Sequence, residues 1–271
     1  MFRIFKNKAI YLLSTMLLIG ALSYFKLDIQ QLNSSRSSHD RSQVHEQFQQ
    51  QINENEQLAW DLLTTSTQIT KEQCLQRQQK NYPAHKILLQ QNWRAKRSRY
   101  PKLKPETITF VQNVLRDFGI DPADVQIIPY KGKGSPAAAD DCTIFIDETE
   151  FVHFSPEACK FFIAHEIAHL RAQDESIYES LCALKQTKRK KDAKKSKMAM
   201  QAFRRFQETR ADMNALLDGG ESYAQGAFDF MHKLQELDGG DNPGITHPKT
   251  SKRIEIAQNI CSKMGWNVAT A

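Results

Sequence analysis

Ser155-Pro156-Glu157-Ala158-Cys159-Lys160-Phe161-Phe162-Ile163-Ala164-His165-Glu166-Ile167-Ala168-His169-Leu170 is the stretch on which the reading of this chain turns. Ser155 has the hydroxyl of a helix N-cap, Pro156 suits the first helical position, and Glu157 stands near the positive end of the helix dipole. The helix they open carries Phe161, Phe162, Ile163, Ile167 and Leu170, with His165-Glu166-Ile167-Ala168-His169 in its middle. Four residues make a little over one turn, so both imidazoles project from one face and can bind one zinc ion. Glu166 follows His165 directly, within reach of a water activated by such an ion, and is placed to take its proton as general base. The competing reading is two ordinary histidines with an incidental glutamate between them. The helical setting weighs against it, because Phe161, Phe162, Ile163 and Ile167 would bury the motif.

A catalytic zinc needs a third protein ligand and an open fourth position. Glu208 is the best candidate, on a helix expected from about Met198 to Leu217 and stopped by Gly219-Gly220. Asp212 lies four residues on, hence on the same face, where it can accept from the outer nitrogen of a ligating histidine and set its tautomer. Taken alone, Glu208 and Asp212 would read as solvated helix acids. Coupled to the histidine motif they complete a site.

His165-Glu166-x-x-His169, then Glu208-Thr209-Arg210-Ala211-Asp212, then Thr246-His247-Pro248 followed by Arg253-Ile254, resembles the integral-membrane zinc endopeptidases of the CAAX-prenyl-protease and HtpX type. The resemblance spans roughly residues 105 to 262. It implies a zincin-like metallopeptidase domain with one Zn2+ per chain, held by His165, His169 and Glu208. Glu166 is then catalytic and Asp212 the partner behind a ligand. It also implies polypeptide substrates, unfolded or damaged envelope proteins among them, and a substrate cleft lined by the strand Cys142 to Asp147. His247, at a helix start, either supports its turn or donates to the oxyanion formed when water adds to a peptide carbonyl. Arg253 reads as an orienting ion-pair partner. Two features depart from the family: there is one hydrophobic run rather than several, and Ser135-Pro136-Ala137-Ala138-Ala139 replaces the usual Asn-Ala-Phe element.

Around this centre the expected fold is α+β and predominantly helical, with a small sheet against the metal helix. A helix starts at Pro105, with Ile108, Val111, Leu115 and Phe118 on one face and Gly119 as its stop. Val125 to Ile128 and Cys142 to Ile146 read as strands, and Lys131 to Asp141, rich in Gly, Pro and Ala, reads as a loop. The last helices are expected over Glu221 to Leu237 and Lys249 to Met264. The domain is drawn at 105–271, after a helical lead-in at 57–104 that is interrupted near Asn81-Tyr82-Pro83.

Upstream, residues 28–56 are polar, with serines and then many glutamines, and read as a spacer; Val44, Phe48 and Ile52 suit one stripe of a helix leading out of it. Residues 1–27 hold Arg3, Lys6 and Lys8 ahead of an uncharged stretch from Ala9 to Phe25. They fit a membrane anchor or a cleaved signal peptide, with the body on the non-cytoplasmic side, the periplasm in a bacterium. The net charge of +6 owes much to 185–197, which carries eight cations against one anion. That run is expected to be solvated, with contact to acidic lipid as the minority reading. No nucleic-acid partner is expected. Five cysteines without a Cys-x-x-Cys pair exclude a zinc ribbon and read as buried free thiols. The rival functional readings are a zinc-binding scaffold or chaperone without appreciable turnover, and a basic membrane-associated binding protein acting through 185–197.

Overall fold

The computed structural model describes residues 38–96, 100–131, 136–186, 193–237 and 247–268. They form a predominantly helical α+β fold: α1 (Ser38–Thr67), α2 (Lys71–Lys96), α3 (Pro105–Asp117), β1 (Gln126–Pro129), β2 (Ala137–Asp140), β3 (Thr143–Ile146), α4 (Glu148–Phe151), α5 (Pro156–Ala172), α6 (Asp174–Gln186), α7 (Ala193–Gly219), α8 (Glu221–Leu237) and α9 (Thr250–Met264).

Helix α5 starts where the sequence says it should: the Ser155 hydroxyl accepts from the Ala158 N–H, with Pro156 at the first helical position. It is the central element, packed against α3, α7, α8 and strands β2 and β3. Phe161, Ile163 and Ile167 are wholly buried. Phe161 and Phe162 face Phe230 of α8, and Phe151 and Phe154 close over Phe162 with rings near right angles. Helix α8 comes this close because Gly226 lacks a side chain: a methyl group there would run into the Glu157 carbonyl of α5. At its other end α5 stops at Gln173, which adopts a left-handed φ of 54° and returns its N–H to Leu170. Helix α6 begins on the very next residue.

The sheet order is β1-β3-β2, with β1 parallel and β2 antiparallel to β3. This alters two expectations. The stretch 131–141 is not all loop, because Ala137 to Asp140 pairs with β3 through a tight turn at Asp141 and Cys142. The strand expected to line a peptide cleft, Cys142 to Asp147, is instead the sheet's centre. Both edges of β3 are taken by neighbours, and all four of its residues are buried. The edge strand lying against α5 is β2.

The polar stretch expected as a spacer is helical from Ser38 onward and crosses the supposed boundary at 56–57 without a break. Its apolar residues are few but periodic. Val44, Phe48, Ile52, Trp60 and Leu63 are all buried, and α1 runs antiparallel along α7, as His45–Asp218, Glu56–Arg210, Trp60–Phe203 and Ser66–Ser196 contacts mark. Residues 38–271 therefore make one compact unit, and 105 is not a domain boundary. The expected break near Pro83 is absent too: α2 continues through it, losing the one hydrogen bond a proline cannot donate. The C-terminal part of the lysine run belongs to α7, with Lys194 and Lys197 exposed, while 187–192 lies outside the described residues.

The anchor or signal expected at 1–27, and the first part of the spacer, lie outside the described residues as well; among the described ones no helix is long and apolar enough to cross a membrane. All five cysteines are free and four are buried, and burial pushes the thiols of Cys74, Cys159 and Cys261 up to about 12.

Candidate metal centre

His165 and His169 leave α5 on the side facing α7, one turn apart. Their Nε2 atoms stand 3.1 Å from each other. Glu208 of α7 brings Oε2 to 3.3 Å from the His165 Nε2 and 3.7 Å from the His169 Nε2. An ion bound tetrahedrally at about 2.0–2.1 Å separates its ligand atoms by about 3.3 Å. The three observed separations bracket that value.

Each imidazole is held from behind by a carboxylate. Asp212 Oδ1 lies 2.8 Å from His165 Nδ1, and Asp174 Oδ2 lies 2.8 Å from His169 Nδ1. Burial works against the charge of Asp212, but Arg253 and His165 overcome it and hold the carboxyl well below its usual range. Asp174 is likewise buried, and His169 and Arg210 lower it. Ionised carboxylates can only accept, so each Nδ1 is an N–H donor and each Nε2 is the atom left for a proton or a metal.

The Glu208 oxygen that faces those nitrogens carries the fit. Glu208 is 8% exposed, and its Oε2 is sealed from solvent yet receives no hydrogen bond of acceptable geometry, although imidazole nitrogens surround it. Burial opposes its charge, while His165, His169 and His247 hold it well below the usual carboxylate range. A buried carboxylate oxygen with an unused lone pair, facing two Nε2 atoms, is a set of donors that would suit a divalent cation. His165, His169 and Glu208 can hold a metal ion.

The same carboxylates draw protons to the imidazoles. Burial disfavours the charged ring of His169, but Asp174 and Glu208 outweigh it and raise His169 to about 10; His165 is raised by Asp212 and Glu208 against the same penalty. Proton and metal thus compete for one lone pair on each ring.

The remaining expected residues fall around this trio. Glu166 is half-buried, and burial raises its pKa while the neighbouring His165 and His169 partly offset that. A carboxylate so disposed has a greater proton affinity than one in water. His247 opens the approach to α9 with a half-exposed side chain, and its Nε2 comes within 3.1 Å of Glu208 Oε2. Arg253 of α9 is buried and doubly bonded to Asp212, Nε to Oδ2 at 2.7 Å and a terminal nitrogen to Oδ1 at 2.8 Å. It locks the carboxylate that locks His165.

Asp174 is the residue the sequence reading missed. It sits five positions after His169, where helical periodicity has ended, and reaches back only because Gln173 turns the chain left-handed. An acid opening a new helix directly after a histidine motif was the signal available. Arg210, between Glu208 and Asp212, was passed over as well; it pairs with Asp174.

Comparison of the chain with protein-family models, with curated proteins and with solved structures finds no match.

Proposed function

We propose that this chain is a zinc-dependent endopeptidase with a zincin-like fold, akin to the CAAX-prenyl-protease and HtpX type that its motifs resemble. The observation that carries the reading is the buried, unbonded Glu208 Oε2 facing the Nε2 atoms of His165 and His169, with Glu166 beside them. Two imidazoles and one carboxylate suit zinc, and they leave a position for water or substrate. When bound, zinc supplies Lewis acidity to the peptide carbonyl and to a water. Glu166 takes the proton of the attacking water and passes it to the departing amine, a task suited to a carboxylate whose proton affinity burial has raised. His247, half-exposed at the rim, donates to the oxygen that becomes negative as water adds. Asp212, Arg253 and Asp174 hold the ligands in register and take no part in bond breaking.

The substrate strand takes a different place from the one the motifs suggested. With β3 enclosed, an extended polypeptide lies along β2, Ala137 to Asp140, the edge strand against the metal helix. Residues 1–27 tether the chain to a membrane with the site on the non-cytoplasmic side, so its substrates are envelope or membrane-associated proteins, unfolded or damaged ones foremost.

Glu166→Gln tests this reading. The variant should bind zinc as the parent does and hydrolyse casein at least about a hundredfold more slowly, the usual range for loss of a general base. Casein hydrolysis unaltered by the substitution would remove Glu166 from the chemistry and the endopeptidase assignment with it.

A further inference from the structure

Asp174 does more than face His169. One oxygen, Oδ2, takes the Nδ1–H of His169; the other, Oδ1, takes Gln207 Nε2 at 2.7 Å and the Arg210 guanidinium. Two donors on one oxygen fix the plane of the carboxylate, and that plane aims Oδ2 at the ring. Arg210 in turn lies over the Phe206 ring and reaches Glu56 of α1 with its other terminal nitrogen, at 3.7 Å. Glu56 is anchored a second time by Lys71, 2.8 Å away at the start of α2. Four helices are thus strung on one line of charge: Glu56 of α1, Arg210 of α7, Asp174 of α6 and His169 of α5. Arg210 is only 12% exposed and Asp174 3%, so the inner links of this line are little screened by water.

We propose that Glu56 and Arg210 are positioning residues of the metal centre: Glu56 orients Arg210, Arg210 sets the plane of Asp174, and Asp174 holds His169 turned with Nε2 toward the metal. The proposal rests on the metal-binding reading of His165, His169 and Glu208. It makes Glu56 of α1, in a stretch that reads as a polar spacer, a working part of the site. A carboxylate behind a ligating imidazole is worth roughly ten- to a hundredfold in metal affinity when removed, and groups that hold that carboxylate inherit part of the effect.

The test uses the full chain, with Glu56→Gln, Arg210→Lys and Arg210→Met each made in the parent and in an Asp174→Asn background. Zinc affinity is read by chelator competition, the visible spectrum of the cobalt(II)-loaded chain reports ligand geometry, and the unfolding midpoint of the metal-free chain reports packing. In the parent background Arg210→Met should weaken zinc about tenfold and Glu56→Gln about threefold, with Arg210→Lys recovering part of the loss. In the Asp174→Asn background neither Arg210→Met nor Glu56→Gln should weaken it further, because the link they act through is gone. The two conservative variants keep the test valid if Arg210→Met proves unstable. Equal losses in both backgrounds would mean that Glu56 and Arg210 act by packing alone and would overturn the proposal. Affinities and cobalt spectra unchanged by Glu56→Gln and both Arg210 variants would overturn it too while leaving the metal reading in place. A parent chain that binds neither zinc nor cobalt would overturn both.

Discussion

Replacing Asp212 by asparagine removes one charge from a place where two opposite charges are almost wholly enclosed. The Asp212 and Arg253 side chains are 3% and 5% exposed and joined by two hydrogen bonds. The asparagine side chain would keep one acceptor where the carboxylate offers two, and its amide would confront either the Arg253 guanidinium or the His165 N–H. The larger loss is electrostatic, since a buried guanidinium without its counter-ion costs about 3–5 kcal/mol. Domains of this size are stable by about 5–15 kcal/mol, so Asp212→Asn should lower stability by a large fraction without abolishing the fold. It should also weaken zinc binding by about ten- to a hundredfold, because His165 loses the acceptor that fixes its tautomer. These two effects can be separated. Adding Arg253→Met removes the orphaned charge and leaves an apolar chain against Phe230, which the guanidinium now covers. The double variant should regain most of the stability, as buried ion pairs replaced by apolar groups commonly do, and should stay weak for zinc. Denaturant unfolding in the presence of a chelator measures the first quantity, and competition with a chromophoric chelator measures the second. Recovery of zinc affinity together with stability would refute the reasoning, since Asp212 would then act on the metal only by keeping the fold intact.

Two further outcomes follow from the geometry. His169, raised to about 10, carries a proton near neutrality in the metal-free chain, and zinc must displace it. Zinc affinity should therefore climb with pH by at least about tenfold per unit between pH 6 and 8 and level off only near 10; a flat profile in buffered-zinc titrations would contradict it. Gly226→Ala should destabilise the chain by about 1–3 kcal/mol or more in thermal or denaturant unfolding, because the Glu157 backbone cannot yield to the added methyl as a flexible side chain would. An unchanged midpoint would mean that α5 and α8 are packed less tightly than described.

Much of the centre could be read from residues whose signals are local. Ser155 and Pro156 announce a helix start by chemistry that needs no tertiary partner, and the His165–His169 spacing is a statement about one helix only. Glu208 and Asp212 needed the motif as context, and the structure brings both to it. The features that were missed depend on contacts between distant segments. Helix α1 is short of apolar residues, and the burial of Val44, Phe48 and Ile52 becomes decisive only once α7 lies alongside. Ala137 to Asp140 has no strand-forming side chains and is extended because β3 offers it a ladder. Pro83 marks no helix end because a single lost hydrogen bond does not outweigh the turns on either side. Arg210 and Glu56 lie in stretches where charged residues are common, and nothing short of the fold tells the paired from the solvated.

The left-handed residue at Gln173 leaves no slack between α5 and α6. Elsewhere a connection could lengthen by a residue and bulge outward harmlessly. Here an insertion or deletion would swing position 174 through about 100° and carry its carboxylate off the imidazole it steadies. How firmly His169 is gripped is thus a matter of counting: five steps along the chain, no more and no fewer.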